Sequence, residues 1–422
     1  MDESSASARL GALHGVRVLD LSRVLAGPLA TQMMADHGAT VIKIEPPSGD
    51  ETRQLGPPFA PNGSAAYFES VNRGKQAMAL DVSTPQGQDI VHRLLAEADV
   101  LIENFLPGTM QRWHLDYERD LKGRYPRLIY CSISGFGADG PLGGLPGYDA
   151  VLQAQCGLMS INGDPQSGST RLGIPVVDHL TGYNALVGIL MALHARQQSG
   201  QGQRVEATLF DTALGLMVPH AANWIRSGQA PALMGSAHPN IAVYDKYRCQ
   251  DGEVFLGIIN DGQFRRFCQA VGLVEVANDP RFASNPLRVQ HRAVLRPLIE
   301  AALAHQLKAP MCQQLMQAGV PCAPVHSLPE AFEQDHAKAR GNLIENGAYR
   351  GIASPIRLMG TPAIQAAPPP DFAQDTSQIM TRAGYSLQDI EAFTRNGVLP
   401  MALKSLAPTS PSPPKAGKKE QA

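Results

Sequence analysis

The chain has no surplus of charge of either sign. Its 36 lysines and arginines face 38 aspartates and glutamates, for a formal net charge of −2. That balance removes the electrostatic case for nucleic acid or an anionic membrane surface as partner. Cysteine is sparse: six in 422 residues, at Cys131, Cys156, Cys249, Cys268, Cys312 and Cys322. No pair forms C-x-x-C and no histidine stands at zinc-finger spacing, so the thiols read as reduced and the chain as cytoplasmic. The start, Met1 to Arg9, is acidic and then small and polar. It lacks the basic and apolar regions of a secretory signal, and none is expected. The longest apolar run, Ala185 to Leu193, falls far short of the ~20 residues of a membrane span.

Familiar catalytic signatures are missing too. Gly135-Phe-Gly-Ala-Asp-Gly140 matches the letters of the dinucleotide fingerprint, but Pro141 and Gly143-Gly144 follow. A helix must open inside that fingerprint, and here it cannot. Gly74-Lys75 lacks the upstream glycine of a P-loop, and there is no G-x-S-x-G or H-E-x-x-H. The histidines form no metal-spaced cluster, so no metal site is expected. Chemistry must then rest on an acid, a histidine, or groups of the bound substrate.

What is present is an ordinary globular composition, 44% hydrophobic and 18% charged, in a chain too long for one core. Val16–Leu21, Thr40–Glu45, Gln76–Val82, Val100–Glu103 and Leu128–Ser134 read as strands. Helical segments separate them, one opening at Thr84-Pro85 with Thr as cap. The alternation predicts an α/β fold with a parallel sheet covered on both faces. Val205–Leu209 adds a strand, and Asp211–Arg226 reads as one helix. From Gln229 a linker leads into a smaller α+β lobe, with helices near Asp261–Val271, His291–Ala304 and Pro310–Ala318. The expected division is a large domain over 10–228, a linker and small domain over 229–329, and a return to the large domain over 330–403. The Pro/Ser/Lys-rich residues 404–422 are expected to be disordered.

One carboxylate stands out. Asp178 follows the apolar stretch Ile174–Val177 and precedes a helical segment reaching about Gln198. A strand-to-helix junction of this kind gathers backbone N–H groups, which would keep the carboxylate ionised. Asp is also a favoured N-cap, so local pattern alone admits a purely structural role.

The motifs follow one another in the order of a known family. Gly15-Val-Arg-Val-Leu-Asp-Leu-Ser-Arg-Val-Leu-Ala-Gly-Pro28 and Asp36-His-Gly-Ala-Thr-Val-Ile-Lys-Ile-Glu-Pro46 resemble the start of the class III CoA-transferases. Val71-Asn-Arg-Gly-Lys75, Glu103-Asn-Phe-Leu-Pro-Gly108, Cys131-Ser-Ile-Ser-Gly-Phe-Gly137, Gly147-Tyr-Asp149 and the Asp178 segment continue the match. Ser199-Gly-Gln-Gly202 and Gly319-Val-Pro-Cys-Ala-Pro324 extend it, so that it covers about residues 10–400. The blocks at Asp50–Pro58 and Gly235–His238 look closest to the succinyl-CoA:dicarboxylate branch.

This resemblance implies a Rossmann-like large domain made from both chain ends, a small domain between, and an interlocked homodimer. It implies coenzyme A or an acyl-CoA as substrate, with no permanently bound cofactor, and a carboxylic acid as second partner. Asp178 matches the aspartate that forms an acyl anhydride and then a CoA thioester. Val24 and Leu25 match a loop at the reaction centre. Lys75, Asn104, Phe105 and Arg112 match CoA contacts, the two cations for phosphates and Phe105 for adenine. Pro46 and Ser134 stand where formyl-CoA transferase has a CoA-contacting arginine and lysine. Arg53 and Arg73 are candidates for the distal carboxylate of a dicarboxylic substrate, and Tyr148 and His238 join them as substrate contacts.

The same superfamily contains α-methylacyl-CoA racemases, which pair the aspartate with a histidine across the substrate's α-carbon. Here Tyr148 occupies the histidine position. A phenol is a poor proton-exchange partner near neutral pH. Transfer is therefore the favoured reading, with racemisation the alternative and CoA binding without catalysis a third.

Overall fold

The computed structural model describes residues 10–364 and 367–401. The expected disordered segment 404–422 lies outside the described residues. The chain divides into two compact units. The first takes the described residues up to Asp149, Val176–Thr212 and those from Leu343, so an early and a late stretch of the chain belong to it together.

Its centre is a six-stranded sheet: β1 Arg17–Asp20, β2 Thr40–Glu45, β3 Gln76–Ala79, β4 Val100–Glu103, β5 Ile129–Ser134 and β6 Arg204–Thr208. The order is β3-β2-β1-β4-β5-β6, and every pair is parallel. This 3-2-1-4-5-6 order is that of doubly wound dinucleotide-binding sheets, and it reverses direction between β1 and β4. Strands buried on both faces need apolar runs, and Val100, Leu101 and Ile102 of β4 are fully buried. Helix α1 (Ala26–Asp36) follows β1, and α2 (Pro85–Leu95) follows β3. Thr84 caps α2 by accepting the Gly87 N–H at 3.0 Å, with Pro85 opening the helix.

Helix α3 (Val176–Ser199) has the length and composition of a membrane-crossing helix. In this fold it packs against α1, β5 and β6. Val177, Thr181, Ala185 and Ile189 form its buried stripe at four-residue spacing. The C-terminal segment returns to the sheet edge, where Asp375 bonds Ala77 through its carboxylate and its own N–H.

The second unit takes Ala150–Pro175 and Ala213–Asn342. These bounds differ from the expected 229–329, because the early segment pairs far along the chain: the Gly235 N–H donates to the Gly163 carbonyl at 2.8 Å. The expected helix Asp211–Arg226 is two, Leu209–Gly215 and His220–Ser227, with Pro219 between. Strands β7 Tyr244–Cys249, β8 Gly252–Gly257 and β9 Cys322–Pro324 form an antiparallel sheet with β8 in the middle. Helices Asp261–Ala270, Arg292–Leu303 and Lys308–Gln317 supply Phe264, Phe267, Leu295, Ile299 and Leu315 to an apolar core.

Candidate active site

The loops that leave β1 and β4 face the point where the strand order reverses, the usual ligand crevice of such sheets. A cleft of about 210 Å³ opens there. Val24, Leu25, Asn104, Phe105, Tyr148 and Asp178 all line it. These residues are scattered over more than 150 positions of sequence and meet only because β1, β4 and α3 adjoin.

The β1 loop is held with unusual firmness. Val24 has φ +68°, a left-handed conformation that a β-branched residue rarely adopts. Just before it, Asn104 clamps the Arg23 backbone on both sides. Its Oδ1 accepts the Arg23 N–H at 2.8 Å, and its Nδ2 donates to the Arg23 carbonyl at 2.7 Å. Beneath the loop lies a buried network of charge. Asp20 accepts from Ser22, Thr31 and Lys75, and the Lys43 ammonium bonds the Ser22 carbonyl and the Asp50 carboxylate, each at 2.9 Å. Gly27 follows because a Cβ there would meet the Ser22 Oγ at 2.2 Å.

Asp178 lies in the first turn of α3, not before it. Residues 174–177 form no strand, and Val176 and Val177 are already helical. The cap reading is therefore corrected: the backbone N–H groups of Val177 and Asp178 donate to Asp149 Oδ2, at 2.8 and 3.2 Å. Asp149 takes the place at the helix N-terminus that would have kept Asp178 ionised. Burial, with the Asp149 charge behind it, instead pushes the Asp178 carboxyl up to about 7. One turn on, a Cβ at Gly182 would lie 2.6 Å from the Ala26 carbonyl. Glycine there lets α1 and α3 approach closely, next to Asp178 and the Val24–Leu25 loop.

Several expected contacts lie elsewhere. Lys75 is fully buried and bonds Asp20, the Pro28 carbonyl and Asn72, so it is a core ion-pair partner and not a phosphate contact. Burial pushes its ammonium down to about 8 against the pull of Asp20. Arg53 grips both oxygens of Glu45 at 2.8 and 2.7 Å and stacks on Phe68. Arg73 grips both oxygens of Asp36 at 2.8 and 2.6 Å. Bidentate pairing leaves neither guanidinium for a substrate carboxylate. Arg112 is exposed and donates to Thr109 Oγ1 at 2.9 Å. His238 belongs to the second unit, its ring edge-on to Tyr244.

Sequence reasoning missed Tyr67, Asp149 and Glu103. Burial, then the charges of Asp178, Asp50 and Asp149, pushes the Tyr67 phenol up to about 12, so it stays a proton donor. Glu103 accepts the Phe105 N–H at 2.8 Å and the Tyr130 hydroxyl at 3.1 Å. Burial raises its carboxyl to about 7. A Glu-Asn-Phe run gives no sign that its acid props up the loop from below.

The family model for CoA-transferase family III matches residues 13–376. The chain belongs to this family. It is 39% identical over 379 residues to a succinate–glutarate CoA-transferase of Agrobacterium fabrum, covering 87% of this chain and 94% of that one. A mouse succinyl-CoA:glutarate CoA-transferase is 35% identical over 394 residues, covering 92% and 90%. Among solved structures, a CaiB/BaiF family protein from Brucella suis superposes with a TM-score of 0.81 at 39% identity, covering 89% of this chain and all of that one. As a class III CoA-transferase the protein takes acyl-CoA as substrate.

Proposed function

We propose that this CoA-transferase moves CoA from succinyl-CoA to a second dicarboxylic acid, with Asp178 as nucleophile. The observation that carries the reading is the pairing inside the cleft: Asp178 faces it, and the residue at the family's histidine position is Tyr148. No histidine is among the described residues lining it. A racemase needs a second proton-exchange group there; a transferase needs a carboxylate and room for the thioester.

In this mechanism a carboxylate oxygen of Asp178 attacks the thioester carbon and CoA leaves as thiolate, giving an acyl–aspartyl anhydride. The thiolate attacks the aspartyl carbonyl, which frees the donor acid and leaves an aspartyl-CoA thioester. The acceptor carboxylate attacks that thioester to form a second anhydride and release the thiolate again. Attack of the thiolate on the acceptor's acyl carbon yields the new acyl-CoA and restores Asp178. Each step exchanges one activated acyl bond for another, so no step is steeply uphill. A poorly solvated carboxylate is a strong nucleophile once ionised, and burial raises this carboxyl into the range where ionisation still occurs near neutral pH. The names of the bacterial and mouse relatives support succinyl and glutaryl groups as partners.

The enzyme is proposed to act as a homodimer in the cytoplasm. Support for the dimer comes from α3, where Val187, Leu190 and Met191 are exposed at helical spacing.

The test is to incubate the protein with succinyl-CoA and a panel of acids and follow CoA esters by mass. Asp178→Ala should lower turnover at least ~10³-fold while the protein stays folded. Retained transfer would sink the mechanism. Deuterium entering the α-carbon of a 2-methylacyl-CoA in D₂O, without CoA exchange, would favour the racemase instead.

A further inference from the structure

The cleft holds a cation whose role the residues so far do not explain. Its charged lining residues are Arg23, Glu51 and Asp178. Arg23 is half-buried and forms no ion pair among the described residues, and its Nε is buried without a hydrogen-bond partner. Glu51 is exposed, and no ion pair joins it to Arg23 among the described residues. No ion pair joins Arg23 to Asp178 among the described residues, although both line the cleft. Arg53 and Arg73 show what a satisfied buried guanidinium looks like in this protein: each grips both oxygens of a carboxylate. Among the described residues no carboxylate meets the Arg23 guanidinium in this way. It is also aimed: its backbone is clamped by Asn104, and its guanidinium carbon sits 5.4 Å from the Phe105 ring centroid. Cation–π contact steers a guanidinium without satisfying its N–H groups.

We propose that Arg23 receives the second carboxylate of the dicarboxylic substrate while the reacting acyl group faces Asp178. This rests on the transferase reading above. A guanidinium fork and a carboxylate match in two parallel hydrogen bonds, strongest away from water. A monocarboxylic acid would leave the fork unmet, and such a site discriminates strongly against it. The competing source of the same chemistry is a phosphate of CoA, and the two are separable by measurement.

The test compares the wild type with Arg23→Met and Arg23→Lys. Ligand-induced shifts in melting temperature are read separately for glutarate and for CoA, alongside kcat/KM for glutarate with succinyl-CoA as donor. Arg23→Met should abolish the glutarate shift, keep the CoA shift, and lower kcat/KM at least ~100-fold. Arg23→Lys should recover part of both losses, since it keeps charge without the fork. A CoA shift lost while the glutarate shift survives assigns Arg23 to a phosphate and overturns the proposal. Unchanged shifts for both ligands, or equal loss of both, also overturn it. Because the glutarate shift needs no turnover, a wild type that binds glutarate but transfers no CoA would refute the function and not the role of Arg23.

Discussion

The floor beneath the cleft and the core of the second unit are equally buried but built from opposite materials. Under the cleft, Asp20, Lys43, Asp50 and Lys75 are each at most 5% exposed. In the second unit, Phe264, Phe267, Leu295, Ile299 and Leu315 are at most 2% exposed, and the core is apolar. Even its one fully buried arginine among the described residues, Arg288, serves as a staple. It bonds the carbonyls of Ala242 and Phe282 and the carboxylate of Asp261. Apolar packing is non-directional and holds a shape; hydrogen-bonded charge holds particular atoms. The difference teaches where this protein needs position as well as stability. The Lys43 ammonium ties the Ser22 carbonyl to the Asp50 turn, and Lys75 ties Asp20 to Pro28. Those bonds fix the loop that carries Val24 in its strained conformation.

The contrast can be broken most directly at Lys75. Lys75→Met leaves the buried Asp20 charge without its ion-pair partner and should cost about 3–5 kcal/mol in denaturant unfolding, with turnover lost alongside. A cost under ~1 kcal/mol would show that the network does not support the loop. The next effect is of opposite sign. Asp178 has its carboxyl raised from 3.8 to about 7, so between those values the native state holds a proton that the unfolded chain has released. Stability from this group therefore falls as pH rises through that window, and the full penalty stands above pH 7. Asp178→Asn should stabilise the protein by about 1–3 kcal/mol at pH 8 and by almost nothing at pH 4, read from melting curves across pH. The smallest effect belongs to the second unit. Ile299→Val should cost about 0.5–1.5 kcal/mol and leave kcat/KM unchanged. A large drop in kcat/KM from so mild a change would mean the apolar core also tunes the site.

Much of the fold was legible in order and in kind. Strands Thr40–Glu45 and Val100–Glu103 match the expected bounds residue for residue, and Thr84 caps its helix as the Thr-Pro pair suggested. The misreadings have a shared cause. Ile174–Val177 looks like a strand because Ile and Val favour strands, yet Val176 and Val177 open a helix whose cap is a carboxylate 29 residues upstream. The bounds of the second unit shifted because Gly163 pairs with Gly235, a contact no local pattern marks.

For the site, the order of motifs by itself determined the family and brought Val24, Leu25, Asn104, Phe105, Tyr148 and Asp178 into view together. Tertiary structure decided which charges are free to act. Arg53, Arg73, Lys75 and Arg23 are all basic residues in the first 75 positions of the chain. The first three find Glu45, Asp36 and Asp20 on neighbouring elements, and the fourth, among the described residues, has the Phe105 ring beside it and the cleft in front. Whether a cation is spent depends on which carboxylate the fold sets within about 3 Å of it, and spacing along the chain does not carry that distance.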